Sequence, residues 1–146
     1  MITYEPIDEP AEILLVEDDE DDILFITEAF AEVWQSYNIH TVTDGAQAIS
    51  FLKQEGEFAS APRPDLILLD LNMPRVNGYE VLAFAKSDDD LKRIPIVVLT
   101  TASDDRTRDE VYASHANSFI AKPSLPSELN NVVRMVAQYW LGTAKQ

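Results

Sequence analysis

Five short strand-like runs, each followed by a longer segment with helical spacing, constrain the fold of this chain most. The runs are residues 12–16, 39–43, 66–69, 94–99 and 118–121. Such runs are too short for buried helices, and the segments between them repeat apolar residues every three or four positions. Strands that alternate with helices of about ten residues or more imply right-handed crossovers. The pattern therefore predicts an α/β fold with one parallel sheet covered by helices on both faces.

The chain length and the positions of the runs predict a single domain. The chain has 146 residues, which is enough to bury a core of its own. Residues 1–11 contain two prolines and no periodicity, so we expect a flexible lead-in before a domain over residues 12–141 and a tail over residues 142–146. In the first helix, apolar residues at helical intervals are expected on one face: Ile23, Ile26, Phe30, Val33, Trp34 and Tyr37.

The composition excludes several classes of function. The formal net charge is -15, which repels nucleic-acid backbones, and we find no basic patch that would overcome the repulsion. The absence of cysteine excludes disulfides, thiolate metal sites and thiol nucleophiles. The sequence has no long apolar window for a membrane span and no basic leader. We therefore expect a cytoplasmic protein that binds neither nucleic acid nor membrane.

Polar side chains stand at the carboxyl ends of four of the predicted strands. Glu17 and Asp18 follow the first strand, Asp70 the third, Thr100 the fourth and Lys122 the fifth. In a parallel sheet these ends share one edge, where the loops diverge and ligands bind. Each residue alone has an ordinary explanation, such as capping a turn or lying on the surface. Four complementary groups at four strand ends together favour a functional site.

The chemistry of these groups points to phosphoryl transfer with a metal ion. Three carboxylates close together repel unless a cation joins them, and Mg²⁺ suits a site of carboxylate oxygens, water and a phosphate. Lys122 and Thr100 could then hold two oxygens of a phosphoryl group. The Asp70 carboxylate could be the nucleophile that accepts this group as an acyl phosphate.

The motifs around these residues resemble the receiver domains of two-component response regulators. They read LLVEDD at 14–19, LLDLNMPRVNG at 68–78, VLTTAS at 98–103 and FIAKP at 119–123. The resemblance covers roughly residues 11–141. It implies a flavodoxin-like, doubly wound sheet of five parallel strands in the order 2-1-3-4-5 with five helices. It also implies a phospho-acceptor protein rather than an enzyme that turns over external substrates.

The resemblance assigns a role to each site residue. Asp70 would accept the phosphoryl group from a histidine kinase, and Lys122 would pair with the phosphoryl oxygens. Mg²⁺ would be held by Asp18, Asp70 and the backbone carbonyl of Asn72, with Glu17 acting through water. Two further residues follow from the family: Thr100 and Phe119 would move together as a conformational switch, and the bond before Pro123 would be cis.

Within the family, the chain is most similar to small stand-alone receivers that serve bacterial, particularly cyanobacterial, phytochromes. The segments that carry this likeness are residues 54–72, residues 86–101 and QYWL at 138–141. The likeness implies a phytochrome as the partner kinase. The last helix carries more apolar residues than one packing face needs, including Met135, Tyr139 and Trp140. This surplus indicates either a homodimer face between the fourth and last helices or packing back onto the core.

Two other functions are compatible with the residues. A magnesium-dependent phosphatase could also use an aspartyl nucleophile, but it would need an acid two residues after Asp70 to protonate the leaving group. That position is Asn72, which disfavours external turnover. A vestigial interaction domain is the other alternative, and the intact acid pair, Thr100 and Lys122 argue against it.

Overall fold

A parallel five-stranded sheet with helices on both faces forms the body of the molecule. The computed structural model describes residues 10–33, 37–71, 73, 77–101 and 105–143. The strands are β1 (Ala11–Val16), β2 (Tyr37–Val42), β3 (Leu66–Leu69), β4 (Ile96–Thr100) and β5 (Ser118–Ala121). The helices are α1 (Glu20–Val33), α2 (Gly45–Lys53), α3 (Gly78–Ser87), α4 (Asp105–Ala113) and α5 (Pro126–Ala137). None of the helices described is long and apolar enough to cross a membrane.

The strand order is β2-β1-β3-β4-β5, and every neighbouring pair is parallel, as predicted. β3 lies at the centre, and all four of its residues are buried. This explains why its sequence is a continuous apolar run, since a strand covered on both faces has no solvent side. In the register, Val16 pairs with Val42 on one side and with Leu69 on the other. The carboxyl ends of β1, β2 and β3 are therefore level.

Two hydrophobic cores lie on opposite faces of the sheet. One packs α2, α3 and α4 against the sheet, and the other packs α1 and α5 against its other face. Alternation along β1 divides its side chains between them, with Leu14 and Val16 in the first core and Ile13 and Leu15 in the second. The two cores hold the sheet rigidly, so that its carboxyl edge is a fixed platform.

The boundaries of two predicted strands are wrong by two residues at the start. β2 begins at Tyr37, which the helical pattern had assigned to the first helix, because Tyr37 pairs with Ala11 of β1. β4 begins at Ile96 and not at Ile94, because the Ile94 N–H closes a 3₁₀ turn on Leu91 and Pro95 has no N–H. Trp34, predicted on the apolar face of the first helix, lies outside the described residues.

The ends of the domain differ slightly from the prediction. Ala11 belongs to β1 and is buried, although it was expected in the lead-in. After α5 the chain continues as a π-helical segment, Gln138–Thr143, whose Leu141 is buried in the second core. The first two residues of the expected tail, 142 and 143, therefore belong to this helical segment.

The bond between Lys122 and Pro123 is trans, so the expected cis bond is wrong: none of the described peptide bonds is cis. The trans form is the intrinsically favoured isomer of a bond that precedes proline, by about 0.5–1 kcal/mol.

Gly78 is the point at which α3 touches the end of β3. A Cβ atom on Gly78 would lie 2.5 Å from the Asp70 carbonyl oxygen and 2.6 Å from Leu71 Cα. Both are backbone atoms and cannot rotate away. We therefore expect Gly78→Ala to lower the free energy of unfolding by about 2–3 kcal/mol, as for other overpacked sites. Urea unfolding would measure the loss.

Gly56→Ala is the matched control for this prediction. Gly56 has a φ of +60° but no atom within 4 Å of an added Cβ, so only its backbone conformation is penalised. Its loss should be about 1 kcal/mol. Equal losses for the two variants would contradict the close contact at Gly78.

Candidate functional site

Backbone hydrogen bonds to neighbouring strands position the residues of the site. These bonds extend the sheet ladder one residue beyond each strand. They run from Glu17 N–H to the Val42 carbonyl (3.0 Å), from Asp70 N–H to the Val16 carbonyl (3.0 Å) and from Lys122 N–H to the Thr100 carbonyl (2.8 Å). The first loop residue after each of these strands is therefore as well fixed as the strand itself.

Three carboxylates converge at this edge of the sheet. Glu17, Asp18 and Asp70 each offer an oxygen atom, and these atoms lie within 4.8 Å of one another. Glu17 is 2% exposed and Asp70 is 7% exposed, whereas Asp18 is open to solvent. The cluster is thus a pocket of negative charge with two buried members and one exposed member. The structure brings these three predicted residues together as expected.

The Lys122 ammonium lies inside this acidic pocket. Its Nζ atom donates to Glu17 Oε1 at 2.8 Å and to Asp22 Oδ2 at 2.9 Å. The Lys122 side chain is only 6% exposed and that of Glu17 2%, so their ion pair is buried, whereas Asp22 is partly exposed. The predicted convergence of Lys122 with the acidic group is present, with Glu17 as one direct partner.

Sequence reasoning missed Asp22 as the second partner of Lys122. Asp22 lies in the first turn of α1, where an acid is also explained by the helix dipole. Its backbone N–H donates to Asp19 Oδ1 at 2.9 Å, which anchors the turn. The one sequence signal was that Asp22 lies four residues after Asp18. That spacing does not show that the Lys122 amine, which follows β5, comes within hydrogen-bond distance of Asp22.

The buried charges shift the pKa values of both members of the Glu17–Lys122 pair. Burial, supported by the negative charge of Asp70, raises the pKa of Glu17 to about 7, although the hydrogen bond from Lys122 opposes the rise. Burial alone would lower the pKa of Lys122, but the hydrogen bonds to Glu17 and Asp22 outweigh it and raise that pKa above its usual value. Lys122 therefore stays charged.

Thr100 and Phe119 lie on adjacent strands beside the acidic group. Thr100 is fully buried at the end of β4 and is in register with Ala121 of β5. Phe119 is half-buried and packs against the first core. Its backbone N–H donates to the Tyr112 hydroxyl of α4 at 3.2 Å, a contact that the sequence did not predict. Asn72, the expected source of a carbonyl ligand, lies outside the described residues.

The donor set of this site is suited to hard, charged ligands. Carboxylate oxygens are the ligands that Mg²⁺ and Mn²⁺ prefer, and a buried ammonium suits an anionic oxygen. The fold and the site together define a doubly wound domain with an acidic, phosphate-compatible site beyond the carboxyl ends of its strands.

The chain belongs to the response regulator receiver domain family, whose family model matches residues 13–134. Receiver domains are phospho-acceptors that receive the phosphoryl group from histidine kinases in two-component signalling. The resemblance read from the motifs is confirmed, and so is the predicted fold.

Relatives similar in sequence and in structure are response regulators, and one of them is described as a phytochrome response regulator. The response regulator Rcp1 of Synechocystis sp. is 40% identical over 134 residues, covering 92% of this chain and 91% of Rcp1. The crystal structure of the phosphorylated cyanobacterial phytochrome response regulator RcpA has a TM-score of 0.89 and 46% identity, covering 92% of this chain and 96% of that chain. The Mn²⁺-bound form of Rcp1 has a TM-score of 0.88 and 40% identity, with the same coverage.

The buried ion pair gives a pH-dependent prediction for Lys122→Met. Removing one partner of a buried pair leaves uncompensated charge, so at pH 8, with a chelator present, we expect a loss of about 3 kcal/mol in the free energy of unfolding. The loss should be smaller at pH 6. Since the pKa of Glu17 is about 7 and rises further without Lys122, Glu17 is largely neutral in both proteins at that pH. Urea titrations at both pH values measure the difference.

Lys92→Met serves as the control for Lys122→Met. Lys92 also pairs with an aspartate, Asp89, at 3.1 Å, but both side chains are exposed. Its loss should stay within about 0.5 kcal/mol at either pH. A loss for Lys122→Met that is equally small, or that grows as the pH falls, would show that Lys122 does not balance the buried acids.

Proposed function

We propose that this protein is a response regulator that accepts a phosphoryl group on Asp70 from a histidine kinase and transmits the signal by a conformational change. The observation that carries the proposal is the meeting of Asp70, Glu17 and Asp18 with the buried Lys122 amine at one edge of the sheet. Among the carboxylates of the cluster, Asp70 lies at the end of the central strand, where it is buried and held by its backbone hydrogen bond to Val16.

The proposed reaction is a transfer between a phosphohistidine and Asp70. A carboxylate oxygen of Asp70 attacks the phosphorus, and the phosphorus–nitrogen bond breaks with its electron pair left on the imidazole nitrogen of the kinase. The product is an aspartyl acyl phosphate. Lys122 donates to a phosphoryl oxygen, and the buried Thr100 hydroxyl at the end of the next strand donates to another. Catalysis on this side is positioning and charge neutralisation, as in phosphoryl transfer generally.

Mg²⁺ fits the acidic group as the accompanying ion. The carboxylates that would hold it are Asp18 and Asp70, with Glu17 acting through water and the Asn72 carbonyl as a further expected ligand. When bound, the ion neutralises the charge on the carboxylates and on the phosphoryl oxygens. The fit is supported by the convergence of the three carboxylates, whose oxygen atoms lie within 4.8 Å of one another, because crowded carboxylates favour a cation between them. A relative, Rcp1, has been crystallised with Mn²⁺.

The signal would leave the site through Thr100 and Phe119. Thr100 is buried between Asp70 and β5, so a hydroxyl that moves toward a phosphoryl group opens space on the side of β5. Phe119 is half-buried on that strand and can fill such space by rotating inward. The switch thus converts a charge added at Asp70 into a change of shape on the α4–β5 surface.

The partner kinase that we propose is a phytochrome. The support is the relatedness to Rcp1 and RcpA, since RcpA is described as a phytochrome response regulator and the coverage is nearly complete on both sides.

Phosphorylation tests the proposal directly. Incubation with Mg²⁺ and a histidine kinase that is already phosphorylated on its histidine should add one phosphoryl group to the wild type. Intact-protein mass spectrometry would detect the added mass. Transfer from a phytochrome histidine kinase should be faster than from kinases of other sensor classes. Asp70→Asn should add none, because it lacks the nucleophilic oxygen.

Two further arms make the phosphorylation experiment decisive. A small phosphodonor in place of the kinase separates a failure of the site from a wrong choice of kinase. Asp44→Asn is the matched control, since Asp44 is also a buried aspartate, but its carboxylate caps α2 by accepting from the Gln47 N–H and does not belong to the converging acidic group. The proposal fails if the wild type takes up no phosphoryl group from any donor, or if Asp70→Asn is labelled as well as the wild type.

We also propose a homodimer through the α4 to α5 face and the C-terminal end. Trp140 packs against the second core, so one of the expected surplus residues faces inward. Met135 is 68% exposed and Tyr139 is 64% exposed, and together they border an apolar groove of about 470 Å³ against β5. Exposed apolar side chains beside such a groove favour a protein partner.

Met135→Glu should convert the dimer to a monomer in sedimentation equilibrium, because it places a charge in the proposed contact. The side chain is exposed, so the fold should be unaffected. Leu24→Glu is the control, since Leu24 is also an exposed apolar side chain (54%) but lies on α1. A wild type that is monomeric both with and without phosphorylation would contradict the dimer, as would a Met135→Glu variant that stays dimeric.

A further inference from the structure

Asp22 accepts a hydrogen bond from the Lys122 ammonium, the group that would also donate to the phosphoryl oxygens. The Lys122 ammonium has three N–H donors, and two of them point at Glu17 Oε1 and Asp22 Oδ2 at 2.8 and 2.9 Å. The side chain of Lys122 is buried, so its amine has little freedom to reach other acceptors without giving up one of these. One donor remains, but the other two hold the amine in place, so it can move to meet a phosphoryl oxygen only by lengthening its bond to one of the two carboxylates.

The two carboxylates are not equally able to release Lys122. Glu17 is 2% exposed, and its second oxygen, Oε2, accepts from the Asp19 backbone N–H at 3.1 Å, which fixes the carboxylate from both sides. The Asp22 side chain is 23% exposed and reaches solvent at the start of α1. Water can solvate Asp22 when Lys122 leaves it, whereas Glu17 has no such replacement. The bond to Asp22 is thus the easier one to break.

We propose that Asp22 is a positioning residue that retains Lys122 in the unphosphorylated protein and must release it when Asp70 is phosphorylated. Asp22 lowers the affinity of the site for a phosphoryl group by competing for the amine, and this sets how readily the domain switches on. The inference rests on the proposed function and extends it to Asp22, a residue that acts through Lys122.

The local backbone keeps Asp22 in this position. Its N–H donates to Asp19 Oδ1, and the Asp19 N–H donates to Glu17, so the turn between β1 and α1 is a chain of hydrogen bonds. The carboxylate is thereby aimed at Lys122 from a residue 100 positions away in sequence. Asp21, its neighbour in the same helical turn, is exposed and has the same charge, but no described hydrogen bond or ion pair links it to Lys122.

A comparison of variants at Asp21 and Asp22 distinguishes competition for the Lys122 amine from a general effect of negative charge. Asp21→Asn and Asp22→Asn remove the same unit of negative charge from the same turn. Both should therefore weaken the binding of Mg²⁺ alone by a similar small factor. Only Asp22→Asn should release the amine, and only this variant should bind a phosphoryl mimic more tightly.

The experiment measures the binding of beryllofluoride, a phosphoryl mimic, in the presence of Mg²⁺ by isothermal titration calorimetry. We expect Asp22→Asn to bind it about three- to tenfold more tightly than Asp21→Asn, the size expected for losing one competing charged hydrogen bond. Asp22→Glu, which keeps the carboxylate, should return to the wild-type affinity. Asp22→Ser repeats the test with a second neutral side chain, and thermal unfolding checks that each variant is folded.

Each outcome decides the matter. Tighter binding by Asp22→Asn and Asp22→Ser, together with a wild-type affinity for Asp22→Glu, supports the retention of Lys122 by Asp22. Equal affinities for Asp22→Asn and Asp21→Asn overturn it, and weaker binding by Asp22→Asn would show that Asp22 orients Lys122 productively instead. If neither the wild type nor any variant binds beryllofluoride, the proposed function itself is contradicted. This result differs from a failure of the Asp22 proposal alone, in which the wild type binds beryllofluoride and the Asp22 and Asp21 variants bind it equally well.

Discussion

The repulsion among the acids at the carboxyl edge of the sheet is the constraint on which the rest of the structure depends. Two of the three converging carboxylates, Glu17 and Asp70, are buried, and such a group is tolerated only when positive charge or protons compensate it. Among the described residues, the Lys122 ammonium supplies positive charge directly to Glu17, and burial with the nearby charge of Asp70 still raises the pKa of Glu17 to about 7. Carboxylates crowded in this way favour the binding of a cation, and through the cation that of an anionic group.

The parallel sheet explains how such an unfavourable arrangement can persist. Glu17, Asp70 and Lys122 each directly follow a strand, and each is held by a ladder hydrogen bond to the neighbouring strand. Separating the charges would require breaking that ladder, and the two apolar cores stabilise it from both faces. The cost of crowding the charges is thus offset by burial elsewhere in the domain. This division between a stable scaffold and an unstable edge is typical of functional sites.

The sequence predicted the features that depend on one strand or on parallel topology. The apolar run before Asp70 and the regular alternation of strands and helices were sufficient for the sheet and for the convergence of Glu17, Asp18, Asp70 and Lys122. What could not be predicted depends on contacts between distant segments. The pairing of Tyr37 with Ala11 moved the start of β2 against the local helical pattern, and the contact of Lys122 with Asp22 joins residues 100 positions apart. The family pattern also suggested a cis bond before Pro123, which the structure does not have.

The central claim is that the three carboxylates form one cation site adjoining Lys122, and diffraction from crystals soaked in Mn²⁺ tests it most directly. The account predicts that the strongest anomalous peak lies among Glu17, Asp18 and Asp70, and that excess Mg²⁺ removes it. A strongest peak at another acidic stretch, such as Asp88 to Asp90, with none beside Asp70, would contradict the account.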